Sequence, residues 1–246
     1  MKHQENSTSS APVAIVTGGN SGIGEAIARM LGGRGYTVVV AGRRSAENER
    51  VAATISDAGP GRGIAFETDI SDEADCMRLI ETTCGSQGRL DLLVNNAGIM
   101  RKGPLVESSS EDFDLVMRTN LYATFWCSRE AFRYMQDQAT DDPFALRGGI
   151  INIASLCGVD AWAGTGTYSA SKHGVMGLTR AAADEGADKR IRVAAICPAM
   201  VATAMTDASG PEYIDPEDIA TTVAYLLDLS SAAWPTEIVV PRRGAG

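Results

Sequence analysis

Near its N-terminus the chain reads Val13-Ala14-Ile15-Val16-Thr17-Gly18-Gly19-Asn20-Ser21-Gly22-Ile23-Gly24. The apolar run is typical of a buried strand, and the glycines let the chain turn sharply into a helix. Such a turn lets a pyrophosphate approach the backbone amides of a helix N-terminus. The stretch predicts a nucleotide-binding unit, although its spacing is Gly-x-x-x-Gly-x-Gly and a plain turn is the alternative. The expected contacts are Gly18, Asn20, Ser21, Gly22, Ile23 and Gly24.

The rest of the chain repeats this alternation of short apolar runs with segments of helical period. Ser71 is expected to cap a helix that begins with Asp72 and Glu73. Continuous apolar strands separated by helices indicate a parallel sheet covered on both faces. We predict an α/β fold, a single doubly wound parallel sheet of about seven strands with helices on both faces. The strands are expected at 13–16, 36–41, 63–66, 90–94, 149–154, 191–196 and 237–240, and the helices at 25–31, 45–58, 111–135, 167–185 and 216–229.

Composition narrows the classes of partner. The net charge of −9 over 246 residues argues against nucleic acid and anionic membranes. The five scattered cysteines and two histidines argue against a disulfide framework and a metal site, and for a reducing compartment. Residues 1–11 form a polar tail without the features of a secretory signal, and no apolar stretch is long enough to span a bilayer. We expect a cytoplasmic protein with no metal, whose residues 12–246 form one catalytic domain.

Tyr168 and Lys172 lie four residues apart, with Ser155 upstream. On a helix this spacing places the phenol and the ammonium on one face. A nearby positive charge lowers the pKa of a tyrosine toward neutral pH, and a serine hydroxyl stabilises charge on a neighbouring oxygen. The group predicts proton transfer to or from a carbonyl or an alcohol, with a solvated helix face as the alternative.

The second predicted strand ends Val40-Ala41-Gly42-Arg43-Arg44, without a carboxylate. In dinucleotide-binding folds an acid at this point binds the 2′-hydroxyl of NAD, whereas an arginine accommodates the 2′-phosphate of NADP. The arginines favour NADP(H) over NAD(H), with Arg43 as the main candidate and Arg44 assisting. The alternative is a pair of exposed arginines that open the next helix.

Five elements together resemble the short-chain dehydrogenase/reductase family. They are Thr17-Gly18-x-x-x-Gly22-x-Gly24, Asn95-Asn96-Ala97-Gly98, Asn120, Ser155 and Tyr168-x-x-x-Lys172. The resemblance extends over roughly residues 13–240 and concerns both the order and the spacing of the elements. It implies a Rossmann-like fold and hydride transfer between NADP(H) and a ketone or secondary alcohol.

The resemblance also implies a role for each matching residue. Tyr168 would be the general acid or base, and Lys172 would lower its pKa and hold the nicotinamide ribose. Ser155 would orient the substrate carbonyl, and Asn120 would interrupt its helix and hold a water that relays protons. Asp69 has a turn acid as its alternative, and Thr119 is assigned to helix packing. Further cofactor contacts implied by the family are Asp69, Ile70, Asn96, Ala97, Gly98, Pro198, Val201 and Thr203.

The chain departs from the family at Pro198-Ala199, where Pro-Gly is common, and near the C-terminus, where elements of the usual tetramer interface are absent. A homodimer or homotetramer is still expected. Apolar residues expected around Tyr168 favour a neutral ketone or alcohol as substrate. The alternatives are a 3-oxoacyl-thioester reductase, which the acidic surface disfavours, and a non-catalytic NADP-binding regulator. Epimerase or dehydratase chemistry would need a longer C-terminal region. The apolar residues are Met100, Leu156, Cys157, Trp162, Met200, Met205 and Tyr213.

Overall fold

A computed structural model describes residues 11–140 and 144–242, so most of the predicted N-terminal tail lies outside the described residues. All strand pairs are parallel, in the order β3-β2-β1-β4-β5-β6-β7, which confirms the predicted doubly wound sheet. The strands are β1 (Val13–Thr17), β2 (Thr37–Gly42), β3 (Arg62–Glu67), β4 (Leu92–Asn95), β5 (Gly148–Ile153), β6 (Ile191–Pro198) and β7 (Glu237–Val240).

Helices connect the strands and cover both faces of the sheet. A π-helical turn over Arg118–Tyr122 joins the fourth helix to the fifth, so the predicted long helix 111–135 is interrupted near its middle. Within the described ranges no helix is both long and apolar enough to cross a membrane. The helices are α1 (Gly22–Gly33), α2 (Ser45–Ala58), α3 (Glu73–Gln87), α4 (Ser110–Met117), α5 (Ala123–Asp137), α6 (Gly166–Ala187) and α7 (Pro216–Asp228).

Alternate residues of each central strand enter different halves of the core, as the period of a strand requires. In β1, Ala14 and Val16 belong to the cluster that includes Ile27 of α1, whereas Ile15 belongs to the cluster that includes Leu79 of α3. Because both faces are buried, Val13 to Val16 are all apolar, and the polar Thr17 comes only at the end of the strand. The unbroken apolar runs of the sequence have this cause.

The helix boundaries include one correction. The sequence predicts Ser71 as the cap of α3, but the N-cap is Asp72, whose side chain accepts a hydrogen bond from the amide of Asp75 (3.1 Å). The Ser71 hydroxyl instead donates to Asp69 Oδ1 (2.8 Å) in the turn that precedes the helix, so it does not cap α3. The predicted start of α7 is confirmed, because Asp215 and Asp218 form a capping box around Pro216.

Gly63 provides a test of the contact between α2 and β3. A Cβ atom built there would lie 2.1 Å from the carbonyl oxygen of Ala52, so strand and helix would have to separate. We expect Gly63→Ala to lower the free energy of unfolding by about 1–3 kcal/mol in urea titrations. The control is Gly85→Ala, exposed near the end of α3 with nothing within 4 Å of its added Cβ. It should raise stability by up to about 1 kcal/mol. Equal stabilities for the two variants would contradict the packing account.

Candidate active site

A cavity of about 390 Å³ lies where β1, β2, β4, β5 and β6 end. Parallel strands bring their carboxyl ends to one edge, which is where ligands bind in open α/β sheets. Of the predicted site residues, only Gly24 and Asn120 lie outside the lining. The predicted residues that line the cavity are Gly18, Asn20, Ser21, Gly22, Ile23, Arg43, Arg44, Asp69, Ile70, Asn96, Ala97, Gly98, Ser155, Tyr168, Lys172, Pro198, Val201 and Thr203.

The glycine loop forms one wall and needs its glycines for conformational reasons. Gly18 and Gly22 have φ angles of 62° and 52°, a left-handed region that other residues rarely adopt. Gly24 does not line the cavity but packs against the loop, where a Cβ atom would lie 2.2 Å from the carbonyl oxygen of Gly18. It lets α1 begin against the loop. Backbone amides at a helix N-terminus with no side chains in the way fit a pyrophosphate.

Asn96 ties this loop to the neighbouring strand. Its Nδ2 donates to the carbonyl oxygens of Thr17 (3.0 Å) and Gly18 (3.2 Å). Thr17 Oγ1 accepts from the amides of Asn96 (3.0 Å) and Ala97 (3.2 Å). These reciprocal bonds hold the ends of β1 and β4 in one geometry.

The two arginines that follow β2 lie at the same end of the cavity as the glycine loop. Arg44 Nη2 donates to Asn20 Oδ1 (3.2 Å) and to Ser21 Oγ (3.3 Å). Arg43 is exposed and also lines the cavity. Positive charge therefore stands at the position where the fold distinguishes a 2′-phosphate from a 2′-hydroxyl.

Asn120 lies in the π-helical turn and is 1% exposed. Its Oδ1 accepts from the amide of Ile99 (2.8 Å), and its Nδ2 donates to the carbonyl of Ile99 (2.9 Å) and to Ser171 Oγ (3.0 Å). The side chain therefore joins the segment after β4 to α6. The neighbouring Thr119, assigned to helix packing rather than to chemistry, also lines the cavity.

Tyr168, Ser155 and Lys172 meet at the other end of the cavity. The Ser155 hydroxyl lies near enough to the Tyr168 phenol to affect its pKa, and Lys172 Nζ lies 5.7 Å from the centroid of the Tyr168 ring. The Lys172 ammonium is buried and donates to the carbonyl oxygen of Ile153 (2.8 Å). The predicted placement of the phenol and the ammonium on one face of a helix is confirmed.

The pKa values of this pair differ from the sequence expectation. Burial raises the pKa of Tyr168 to about 12, outweighing the neighbouring Ser155 hydroxyl, which lowers it. Burial also lowers the pKa of Lys172 to about 8. The predicted lowering of the phenol pKa is wrong, because desolvation of the phenolate dominates. At neutral pH the phenol is protonated and can donate to an oxygen in the cavity.

The predicted apolar surroundings of Tyr168 are only partly found. Of that set Met205 alone lines the cavity, while Trp162 and Met200 are 50% and 38% exposed. Ala199 is not among the described residues with positive φ, so the chain needs no glycine after Pro198. Positions just past a strand end would have indicated several of the lining residues that were missed. The additional lining residues are Gly42, Thr68, Ile99, Thr119, Ile153, Ala154, Ala199, Ala204 and Thr206.

Comparison with known proteins gives consistent matches. The family model described as short chain dehydrogenase matches residues 12–213. A 3-oxoacyl-[acyl-carrier-protein] reductase of Synechocystis sp. is 34% identical, with 92% of this chain and 93% of the relative covered. A 3beta-hydroxysteroid dehydrogenase of Mediterraneibacter gnavus is 36% identical, with 81% and 70% covered. The crystal structure of a metagenomic short-chain oxidoreductase in complex with NADP is 33% identical, with a TM-score of 0.82 and 94% and 96% covered.

The buried ammonium predicts a pH dependence of stability. Because the pKa of Lys172 falls to about 8 on folding, the unfolded state binds more protons between about pH 8 and 10.5. Burying the charged lysine destabilises the folded state, and this destabilisation is lost as the pH rises through that window. The free energy of unfolding therefore increases with pH. We expect the free energy of unfolding of the wild type to rise relative to Lys172→Met between pH 8 and 10. The exposed Lys102→Met is the control, which should run parallel to the wild type. A constant difference between wild type and Lys172→Met would contradict the burial of a charged lysine.

Proposed function

The chain belongs to the short-chain dehydrogenase/reductase family, and we propose that it is an NADP(H)-dependent oxidoreductase acting on a neutral ketone or secondary alcohol. One observation carries the proposal. Tyr168, Ser155 and Lys172 occupy one end of a cavity whose other end holds the glycine loop and two arginines. Proton-transfer groups and dinucleotide-binding groups thus share one space.

The cofactor assignment rests on the residues at the ends of β1 and β2. The glycine loop offers backbone amides to the pyrophosphate, and Arg43 and Arg44 offer positive charge to the 2′-phosphate. A relative of known structure is described in complex with NADP. The reduced cofactor supplies the hydride, and the protein supplies position and charge.

In the proposed reduction, Tyr168 donates the phenolic proton to the carbonyl oxygen of the substrate as negative charge develops there. A pKa of about 12 keeps that proton on the phenol at neutral pH. An alkoxide is a stronger base than a phenolate, so the transfer is still downhill. Ser155 orients the carbonyl through its hydroxyl, and the charged Lys172 stabilises the phenolate that remains.

The distribution of charge in the cavity supports a substrate without an ionised group. The ionisable side chains of the lining other than Tyr168 and Lys172 are Arg43, Arg44 and Asp69, which follow β2 and β3. The lining also includes the apolar side chains of Ala154, Ala199 and Met205, and the one cation at the phenol end, Lys172, is already bonded to the carbonyl oxygen of Ile153. A substrate carboxylate or phosphate at that end would therefore lose water without a charged partner reserved for it.

A 3-oxoacyl thioester is the second candidate substrate. It is favoured by the Synechocystis relative, which is described as a 3-oxoacyl-[acyl-carrier-protein] reductase. The net charge of −9 disfavours docking of an acidic carrier protein. Comparing simple ketones with 3-oxoacyl thioesters, free and carrier-linked, decides between the two.

We further propose that residues 12–246 form a single catalytic domain that assembles as a homodimer or homotetramer in the cytoplasm. Phe113, Tyr122 and Phe125 of the α4–α5 region are 41%, 44% and 42% exposed, and aromatic side chains at a surface favour an interface. The five cysteines are free thiols, which fits a reducing compartment.

The cofactor proposal predicts that removing the arginines selectively lowers the affinity for NADPH. The wild type should bind NADPH more tightly than NADH in fluorescence titrations. Arg43→Ala and Arg44→Ala should weaken NADPH binding, with roughly tenfold loss where a guanidinium bonds the phosphate, and leave NADH binding within about twofold. A wild-type preference for NADH would overturn the assignment of NADP(H).

The catalytic proposal predicts that Tyr168→Phe separates binding from turnover. Removing the acid should reduce kcat by about 10²–10⁴-fold in a screen of ketones with NADPH, while NADPH affinity changes little. Tyr225→Phe, at a side chain 53% exposed, is the matched control and should retain full activity. Tight NADPH binding without turnover of any ketone or alcohol, unaffected by Tyr168→Phe, would favour the non-catalytic regulator instead.

A further inference from the structure

A buried amide lies directly behind the arginine end of the cavity. Asn48 is in the first turn of α2, is 0% exposed and does not line the cavity. A buried polar side chain is costly unless its donors and acceptors are satisfied. The hydrogen bonds of the Asn48 amide must therefore offset the cost of burying it.

Both ends of the Asn48 amide are bonded, and the partners define its orientation. Its Nδ2 donates to the carbonyl oxygens of Gly42 (2.7 Å) and Phe66 (3.0 Å), at the C-terminal ends of β2 and β3. Its Oδ1 accepts from Asn20 Nδ2 (2.7 Å). Backbone carbonyls can only accept, so the flipped amide would place its oxygen against two other oxygens. The sheet therefore determines which way Asn48 faces.

The orientation of Asn48 in turn determines that of Asn20. Since Asn20 Nδ2 is bonded to Asn48, Asn20 Oδ1 faces Arg44 and accepts from its Nη2 (3.2 Å). Gly42 leaves room for this pair, because a Cβ atom there would lie 2.7 Å from Asn20 Nδ2. Two strand-end carbonyls are thus connected to one guanidinium through two neutral amides.

The neutrality of these amides matters for the charge of Arg44. Nearby Arg50 is paired with Glu25 (2.8 Å) and Glu47 (2.8 Å), which offset its charge. In the described part of the chain, no carboxylate forms an ion pair with Arg44, whose bonds go to Asn20 and Ser21. Glu47 is the nearby carboxylate, and its pKa is lowered mainly by its hydrogen bond to Arg50 and more weakly by the charge of Arg44. Because Arg44 itself has no ion pair to give up, its charge is available to an incoming phosphate.

We propose that Asn48 is a positioning residue for recognition of the 2′-phosphate of NADP(H). It does not line the cavity and acts through Asn20, holding the Arg44 guanidinium beside the glycine loop. The inference rests on the proposed cofactor preference and adds the residue that maintains it from inside the core. A purely structural role would weaken every nucleotide alike, whereas positioning affects only ligands with a 2′-phosphate.

The test is a double-mutant cycle between Asn48→Leu and Arg44→Ala, read by equilibrium binding. Dissociation constants are measured for NADPH, NADH, 2′,5′-ADP and 5′-ADP by calorimetry or fluorescence. Asn48→Leu should weaken the binding of NADPH and 2′,5′-ADP about tenfold, because a charged hydrogen bond is misplaced. The binding of NADH and 5′-ADP should weaken less than about twofold. In the Arg44→Ala background the same substitution should cause no further selective loss.

Two further variants keep the test decisive. Asn48→Ala replaces Asn48→Leu if the leucine does not fold, since it also removes the amide and is smaller. Val51→Ala is the matched control on α2, buried without a side-chain hydrogen bond, and should lower stability with an unchanged ratio of NADPH to NADH affinity. Equal loss for all four ligands, or an undiminished selective loss without Arg44, would overturn the positioning role alone. A wild type that prefers NADH would overturn the cofactor proposal as well.

Discussion

The active-site end of the cavity depends on the burial of one ammonium group. Lys172 is inside the protein, where a charge is stable only if hydrogen-bond acceptors replace the lost water. The carbonyl oxygen of Ile153, at the end of β5, accepts from it at 2.8 Å. This contact requires α6 to lie close against the turn after β5. Gly158 permits that approach, because a Cβ atom there would lie 2.8 Å from the carbonyl oxygen of Lys172.

Buried amides give the rest of this edge its rigidity. Asn95 Nδ2 donates to Asn152 Oδ1 (2.9 Å) across β4 and β5, and Asn152 Nδ2 donates to Thr179 Oγ1 (2.8 Å) on α6. Asn96 and Asn120 bind the loops that follow β1 and β4. An amide carries a donor and an acceptor without charge, so it can link carbonyls and amides inside a core at little electrostatic cost. The side chains that line the cavity are positioned by this network rather than by the loops alone.

Much of the fold could be predicted from the sequence because its physical signals are local. The apolar runs reflect strands buried on both faces, and Asp215 with Pro216 and Asp218 forms a cap that a short segment defines by itself. Ser71 was misassigned because Ser and Asp are both good caps, and the choice depends on the contact between Ser71 and Asp69. Strand order was not determined by local pattern, since it depends on contacts distant in the sequence.

Most residues of the site could be predicted from the sequence, but their pKa values could not. Spacing on a helix placed Tyr168 and Lys172 together, but the pKa of a phenol depends on how much water surrounds it, which spacing does not reveal. For a similar reason the sequence did not indicate that Thr119 lines the cavity or that Asn48 is bonded to the strand ends. A π-helical turn exposes the former to the cavity, and the latter acts through bonds to two strand ends that are separated in sequence.

The central claim is that the site holds a proton on Tyr168 beside the buried Lys172 cation. The most direct measurement is a spectrophotometric titration of phenolate, with the curve of Tyr168→Phe subtracted from that of the wild type. The account predicts that the difference appears only as the pH approaches about 12. Ionisation of this tyrosine at or below the usual pKa of about 10 would contradict the claim that desolvation governs the site.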